Sequence, residues 1–166
     1  MASGDTLLVF TPMNNEPPAA AFATLDSRNG SLVLDFDATA DEEAVFSFPA
    51  LPRHYDGGGI TANAKCMMTS ATSGNVVLQG AFERGNTDRD ADSFASFVSS
   101  GAVAVNATSG IPFNVPIAFT DGAQIDSLAV GEPLRFKLRR DADDTSATDS
   151  ATGDLELLGI ELQETP

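Results

Sequence analysis

The stretch from residue 57 to residue 83 constrains the fold of this chain more than any other. After three glycines at 57–59, apolar residues occupy every second position from Ile60 to Met68. A second alternating run at 75–83 follows turn-forming residues at 71–74. Because successive side chains of a strand point to opposite faces, each run predicts a strand with one face toward a core. The short glycine-containing connection predicts that the two strands pair as an antiparallel hairpin.

The same alternation recurs along most of the chain. Further runs contain Leu32, Leu34 and Phe36; Ala44, Phe46 and Phe48; Phe113, Val115, Ile117 and Phe119; and Leu134, Phe136 and Leu138. Turn signals such as Asn29-Gly30 separate the runs, and no long helical periodicity interrupts them. About eight to ten short strands predict an all-β sandwich or barrel, and a jelly roll is the version with about eight strands in two sheets. An immunoglobulin core is disfavoured, because the chain has one Cys and no Trp.

Two of the predicted strands have features that indicate irregular pairing. The apolar parity of the last run, 155–162, switches between Leu157 and Leu158, which predicts a β-bulge there. Pro116 has no amide hydrogen, so it predicts an edge position or a bulge for its strand.

The chain of 166 residues has the size of one domain, which we divide into two segments. Residues 1–20 are predicted to be an extended N-terminal arm, since Pro12, Pro17 and Pro18 cannot donate to a sheet. Residues 21–166 are predicted to form the jelly-roll sandwich. The arm either orders against a neighbouring subunit, with the three prolines as contacts, or frays as an ordinary terminus.

The net charge of −15 excludes some partners. Only nine Lys and Arg residues are present, too few for the phosphate neutralisation that nucleic-acid binding requires. An acidic surface is also repelled by anionic membranes. No apolar run is long enough to span a bilayer, and the N-terminus lacks the pattern of a secretory signal. The charge favours solubility or docking on a basic partner.

Basic residues alternate on one predicted strand. Arg135, Lys137 and Arg139 share its outward parity. They either protect an edge strand against aggregation or form a docking stripe for an acidic neighbouring subunit.

Two loops offer candidate ligands. His54 and Tyr55 lie in a loop that is either a binding loop or, the interpretation we favour, a crossover between two sheets with Tyr55 packed over the edge. Asp88, Asp90 and Asp92 alternate as in a calcium loop, but the glycine and the closing glutamate of that motif are missing. We therefore expect a solvated loop and no metal site.

Little in the sequence indicates catalysis. The chain has one His, no nucleophile elbow, and a single Cys, Cys66, on the apolar parity of its strand. We predict no catalytic residue and no cofactor, and that the protein is not an enzyme.

Several motifs together resemble a known group. These are FATLDSRNG at 22–30, LDF at 34–36, HYDGGGI at 54–60, SATSGNVV at 70–77, AFER at 81–84, DGAQIDS at 121–127, VGE at 130–132 and the Arg140-Asp141 boundary. In these motifs the chain resembles small jelly-roll structural proteins of tailed bacteriophages, from about residue 20 to the end. Cys66 departs from the larger aromatic or aliphatic residue expected after Lys65.

The resemblance implies a capsid decoration or cement protein on the outer surface of the virion. Its partners would be the major capsid protein and further copies of itself, as a dimer or trimer, and it would stabilise contacts between capsid subunits. The alternative is a receptor- or carbohydrate-binding adhesive module of a phage tail fibre, because jelly rolls host many lectins. The absence of Trp and the single Tyr count against sugar binding, although His54 and Tyr55 could serve it.

Overall fold

The computed structural model describes residues 4–86 and 89–165. Within them lie two short 3-10 helices, Pro12–Asn14 and Ala123–Ile125, and twelve strands. The strands are β1 (Thr6–Phe10), β2 (Thr24–Arg28), β3 (Ser31–Phe36), β4 (Glu43–Phe48), β5 (Gly59–Met68), β6 (Asn75–Val76), β7 (Leu78–Arg84), β8 (Val98–Ser99), β9 (Val103–Ala104), β10 (Phe113–Phe119), β11 (Leu134–Arg140) and β12 (Leu155–Thr165). In the described residues, no helix has the length and apolarity needed to cross a membrane.

The strands form two antiparallel sheets that face each other, and the predicted all-β sandwich is confirmed. The larger sheet has the order β10-β5-β12-β3-β2. The long strand β12 also pairs with β1, which lies beside its second half, while β3 lies beside its first half. The smaller sheet has the order β4-β11-β7-β8, and β6 pairs with β9 separately.

Phenylalanine side chains fill the space between the sheets. Phe119 of the larger sheet meets Phe82 and Phe136 of the smaller, with ring centroids 4.9 and 6.0 Å away. Phe46, which pairs in register with Phe136, extends this cluster, and Phe10 stacks on it with ring centroids 5.2 Å apart. The predicted inward positions of β5 are almost fully buried: Ile60, Ala62, Ala64, Cys66 and Met68.

The predicted hairpin between β5 and β7 is wrong. β5 pairs with β10 and β12 in the larger sheet, whereas β7 pairs with β11 and β8 in the smaller sheet. The residues between them, 69–77, cross from one sheet to the other. Alternation indicates which face of a strand meets the core. It is equally compatible with two strands that pair and with two strands that face each other across the core.

The two expectations about single strands are confirmed. The register of β12 against β5 shifts between Leu157 and Gly159, which is the predicted bulge. Gly159 is required there, because a Cβ atom would lie 2.8 Å from the carbonyl oxygen of Phe10 on β1. Pro116 lies on β10, at an edge of the larger sheet.

The segment predicted as an N-terminal arm contributes a strand to the larger sheet. Leu7, Leu8 and Phe10 of β1 are buried in the core, and Pro12 is buried directly after it. Glu16 then donates its backbone N–H to the carbonyl of Val45 on β4. A segment boundary at residue 20 and a contact of the arm with another subunit stay predictions.

Candidate functional site

Three amide side chains form a hydrogen-bonded row on the outward face of the larger sheet. Nδ2 of Asn114 donates to Oδ1 of Asn63 at 3.0 Å. Nδ2 of Asn63 donates to Oε1 of Gln163 at 3.1 Å, and Nε2 of Gln163 donates to the carbonyl oxygen of Gly4 at 3.0 Å. We call Asn63, Asn114 and Gln163 the amide row. It runs across β10, β5 and β12, two strand spacings or about 10 Å.

The pleat of each strand explains why these side chains point outward. Asn63 lies between Ala62 and Ala64, which are both buried in the core. Asn114 and Gln163 likewise alternate with the buried Val115 and Leu162. All three amides are partly exposed, so the row is accessible from solvent.

The amide row has hydrogen-bonding capacity to spare. A primary amide has two N–H donors and an oxygen with two lone pairs. The bonds within the row use one N–H of each amide. Oδ1 of Asn114 is buried and has no hydrogen-bond partner among the described residues. That oxygen is out of reach of a ligand, but each amide keeps one N–H donor, and Oδ1 of Asn63 and Oε1 of Gln163 each keep one lone pair, so a ligand with adjacent donors and acceptors can bind along the row.

A groove of about 480 Å³ lies beside the row on the same face. Glu161 on β12 pairs in register with Asn63, and Lys65 follows Asn63 by two positions, so all three point outward. The apolar wall of the groove includes Val9, which is 63% exposed. The full lining consists of Val9, Phe10, Thr11, Lys65, Pro112, Leu158, Gly159, Ile160 and Glu161.

The predicted basic stripe lies in the interior of the smaller sheet. β11 has β4 on one side and β7 on the other, so the edge-strand interpretation is wrong. Each basic residue forms ion pairs within the chain. Arg135 pairs with Glu83 and Asp92, Lys137 with Glu43 at 3.0 Å and Asp92 at 3.8 Å, and Arg139 with Asp41 at 3.3 Å.

The segment before β8 also covers this stripe. The guanidinium of Arg135 and the ammonium of Lys137 lie 4.8 and 4.5 Å from the ring centroid of Phe94. Arg139 lies 4.3 Å from the ring centroid of Phe97. Docking of the stripe on a neighbouring subunit stays a prediction, and the stripe's charges are already used to hold the 92–97 segment.

Two of the three candidate prolines line a second groove. Pro12 and Pro17 border a volume of about 360 Å³ together with Met13, Phe22 and Leu25. Met13, Phe22 and Leu25 are 64%, 44% and 49% exposed, and we call these three residues the apolar patch. Pro18 follows, partly exposed.

The loop with His54 and Tyr55 connects the smaller sheet to the larger, as predicted for a crossover. Tyr55 is buried, and its hydroxyl donates to the carbonyl oxygen of Gly58. Burial, with Asp121 and Glu164 nearby, raises the pKa of Tyr55 to about 12. His54 is exposed, with Nε2 3.3 Å from the carbonyl oxygen of Thr6. Tyr55 therefore packs as a core residue, and His54 alone faces solvent.

Asp92 and Asp141 have structural roles within the chain. Asp88 lies outside the described residues, and Asp92 pairs with Arg135 at 2.8 Å. Carboxylates of Asp41, Asp141 and Asp143 come together elsewhere. Although burial favours the neutral form, hydrogen bonds from Ser146 and Thr145 lower the pKa of Asp141. These bonds fix the loop after β11, so the cluster already has a structural explanation.

Cys66 is fully buried on the core face of β5. Burial raises the pKa of its thiol, so the reactive thiolate is disfavoured. Its position fits packing and not nucleophilic chemistry.

No protein-family model matches the chain, and neither does any curated protein. Solved structures do share its fold. The CBM22-1 xylan-binding domain of Paenibacillus barcinonensis Xyn10C superposes with a TM-score of 0.53 at 14% identity, over 99% of this chain and 97% of that one. The CBM22-2 domain of the same protein gives 0.53 at 13% identity, over 95% and 99%. These similarities identify a jelly-roll β-sandwich of the kind found in carbohydrate-binding modules.

A third similar structure is much longer. An arabinose-bound GH51 α-L-arabinofuranosidase matches with a TM-score of 0.51 at 11% identity, over 95% of this chain but 24% of that one. At such identities the shared property is the fold.

Sequence reasoning missed the amide row. The alternation of β5 already indicated that Thr61, Asn63 and Lys65 point outward. Asn114 and Gln163 join them only through the order β10-β5-β12, which no local pattern specifies.

Proposed function

We propose that this protein is a non-catalytic carbohydrate-binding module that binds a glycan along the amide row and its groove. Following the resemblance to phage structural proteins, we place it as an adhesive module of a virion, such as a tail-fibre tip. The observation that carries the proposal is the amide row, three partly exposed side chains joined by hydrogen bonds on the outward face of the larger sheet. The likeness to two xylan-binding domains over nearly the whole chain supports it.

Amides suit the chemistry of sugar hydroxyls. A hydroxyl donates one hydrogen bond and accepts others, and a primary amide offers the complementary pair of groups side by side. Each such bond contributes about 1 kcal/mol net, because it replaces bonds to water. One site therefore binds weakly, and many copies on one particle raise the overall affinity.

The apolar wall of the groove can provide the apolar contacts of a sugar site. Val9, Pro112 and Leu158 can cover the C–H groups of a sugar ring while the amides bind its hydroxyls. Nearly all of the aromatic Phe10 is buried behind this wall. The site thus uses aliphatic contacts where many sugar sites use an exposed aromatic ring.

Binding to immobilised glycans tests the proposal. We expect the full-length protein to bind at least one glycan class, and Asn63→Ala or Gln163→Ala to weaken that binding about tenfold, as expected for lost hydrogen bonds. The matched control is Asn86→Ala, which removes an exposed amide outside the row. Thermal unfolding of each variant separates lost binding from lost folding. Binding unchanged in both row variants would contradict the proposed site.

Capsid decoration is a second candidate function, and the apolar patch favours it. Contiguous exposed apolar residues commonly mark protein interfaces. Met13, Phe22 and Leu25 lie together around a groove that includes two of the prolines predicted to contact a subunit. In this case the patch would dock on the major capsid protein at the outer capsid surface, with further copies of the chain alongside.

Undecorated capsids test the second function. We expect Phe22→Ser to reduce capsid binding, while Val130→Ser, which changes a comparably exposed apolar residue, leaves it intact. Mass spectrometry of purified particles adds the copy number relative to the major capsid protein. A ratio near one supports a shell component, and a handful of copies supports the tail and the adhesive function.

A further inference from the structure

We infer that the glycan bound at the amide row is an uncharged polysaccharide. This inference rests on the proposed function and specifies the ligand class of the same site. The amide row itself consists of three uncharged side chains. The groove adds one cation, Lys65, and one anion, Glu161, so its lining has no net charge.

The rest of the outward face repels anions. Asp35, Glu156 and Asp26 lie on the same face of the larger sheet, on β3, β12 and β2. Burial is the main cause that raises the pKa of Asp35 to about 6, and the negative charges of Glu156, Asp26 and Asp154 add to the shift. The nearby cation Arg28 is held by Glu156 at 2.5 Å.

The whole chain adds to this repulsion. Its net charge is −15, and such a field lowers the local concentration of anionic polymers. A uronate or sulfated chain presents a charge at every repeat, and the groove offers Lys65 alone to meet several of them. An uncharged polysaccharide is not repelled by the protein's negative charge, and it retains the hydroxyls that the amides bind.

Matched pairs of polysaccharides test the inference, because each pair shares a backbone and differs in charge. We would immobilise hydroxyethylcellulose with carboxymethylcellulose, methyl-esterified homogalacturonan with polygalacturonate, and unsubstituted xylan with glucuronoxylan. Binding of the full-length protein is measured by biolayer interferometry at about 20 and about 500 mM NaCl, where screening removes most long-range charge effects.

The expected result is binding to a neutral member at least about tenfold tighter than to its anionic counterpart at low salt. The affinity for that neutral member should change less than about threefold between the two salt concentrations. Tighter binding to an anionic member, or binding to a neutral member that disappears at high salt, would overturn the inference and leave carbohydrate binding standing. Failure to bind any of the six polymers would reject both the inference and the proposed function on these backbones.

Discussion

The guanidinium of Arg140 forms a buried bidentate pair with the carboxylate of Asp149. Nη2 lies 2.8 Å from Oδ1 and Nε lies 2.9 Å from Oδ2, and both side chains are essentially inaccessible to solvent. The remaining donors of Arg140 reach the carbonyl oxygens of Ala151 and Gly153, each at 2.9 Å. Because Arg140 ends β11 and Asp149 lies in the loop before β12, the pair fixes the passage from the smaller sheet to the larger.

Asp149→Asn should destabilise the protein by about 3–5 kcal/mol, since it leaves the Arg140 charge buried without its counter-charge. Urea unfolding measures the change. The control, Asp143→Asn, alters an exposed carboxylate of the same loop and should stay within about 0.5 kcal/mol. Equal stabilities for the two variants would show that the pair contributes little.

Asp35→Asn should stabilise the protein at neutral pH and not at acid pH. The pKa of Asp35 is raised to about 6, first by burial and then by neighbouring acids, so the folded state disfavours its ionised form. Stability therefore falls as the pH rises from about 4 to about 6, and asparagine removes that loss. We expect the urea midpoint of the variant to exceed that of the wild type above pH 6 and to converge with it near pH 4.

Asp37→Asn provides a control of opposite sign. Hydrogen bonds from Thr39 lower the pKa of Asp37, so its ionised form is favoured in the folded state. The ionised Asp37 therefore adds to the free energy of unfolding above the pKa that this residue has in the unfolded state, and this stabilisation is lost as the pH falls. The asparagine variant should therefore be less stable than the wild type at neutral pH, with a smaller difference in acid. Parallel pH profiles for both variants would contradict these assignments.

Gly159→Ala should loosen β1 from the larger sheet. The added methyl group would lie 2.8 Å from the Phe10 carbonyl oxygen, so the backbone of β1 or β12 has to move. We expect a cost of about 1–3 kcal/mol, as for other overpacked sites. Relative to the wild type, the variant should show a larger increase in amide hydrogen-exchange rate in β1 than in β5. Thr152→Ala, at an exposed position before the same strand, should change neither quantity.

These features differ in how far the sequence predicts them. Alternation was sufficient for the inward face of β5 and for the bulge near Leu157, because both follow from the side-chain parity of a single strand. Alternation could not predict which strands pair with β5, because strand pairing depends on packing between segments far apart in the chain. The predicted hairpin failed for that reason.

The candidate site was hidden for a related reason. Asn63 and Gln163 are 100 positions apart, and their hydrogen bond exists only because β5 and β12 are neighbours. The basic stripe was visible in sequence, but its acidic and aromatic partners, such as Glu83 and Phe94, come from other segments. A charged run predicts an outward face and does not show whether that face is already covered.

Lys137→Glu should lower the thermal midpoint, because it places a third anion against Glu43 and Asp92 and removes the cation from the ring of Phe94. We expect a loss of about 1–3 kcal/mol. Arg53→Glu, the same kind of charge change at an exposed loop residue, should have little effect. A similar midpoint for both variants would mean that the stripe is free enough to dock elsewhere.

Side-chain amide NMR signals test whether the amide row binds a glycan. The ¹⁵N-labelled protein would be titrated with a soluble oligosaccharide of the neutral glycan that binds most tightly. We expect the NH₂ signals of Asn63, Asn114 and Gln163 to shift with one common dissociation constant, while that of Asn86 stays in place. Carbohydrate binding at the amide row would be contradicted if only the backbone amide signals of the apolar patch shifted, or if no signal shifted at a saturating concentration.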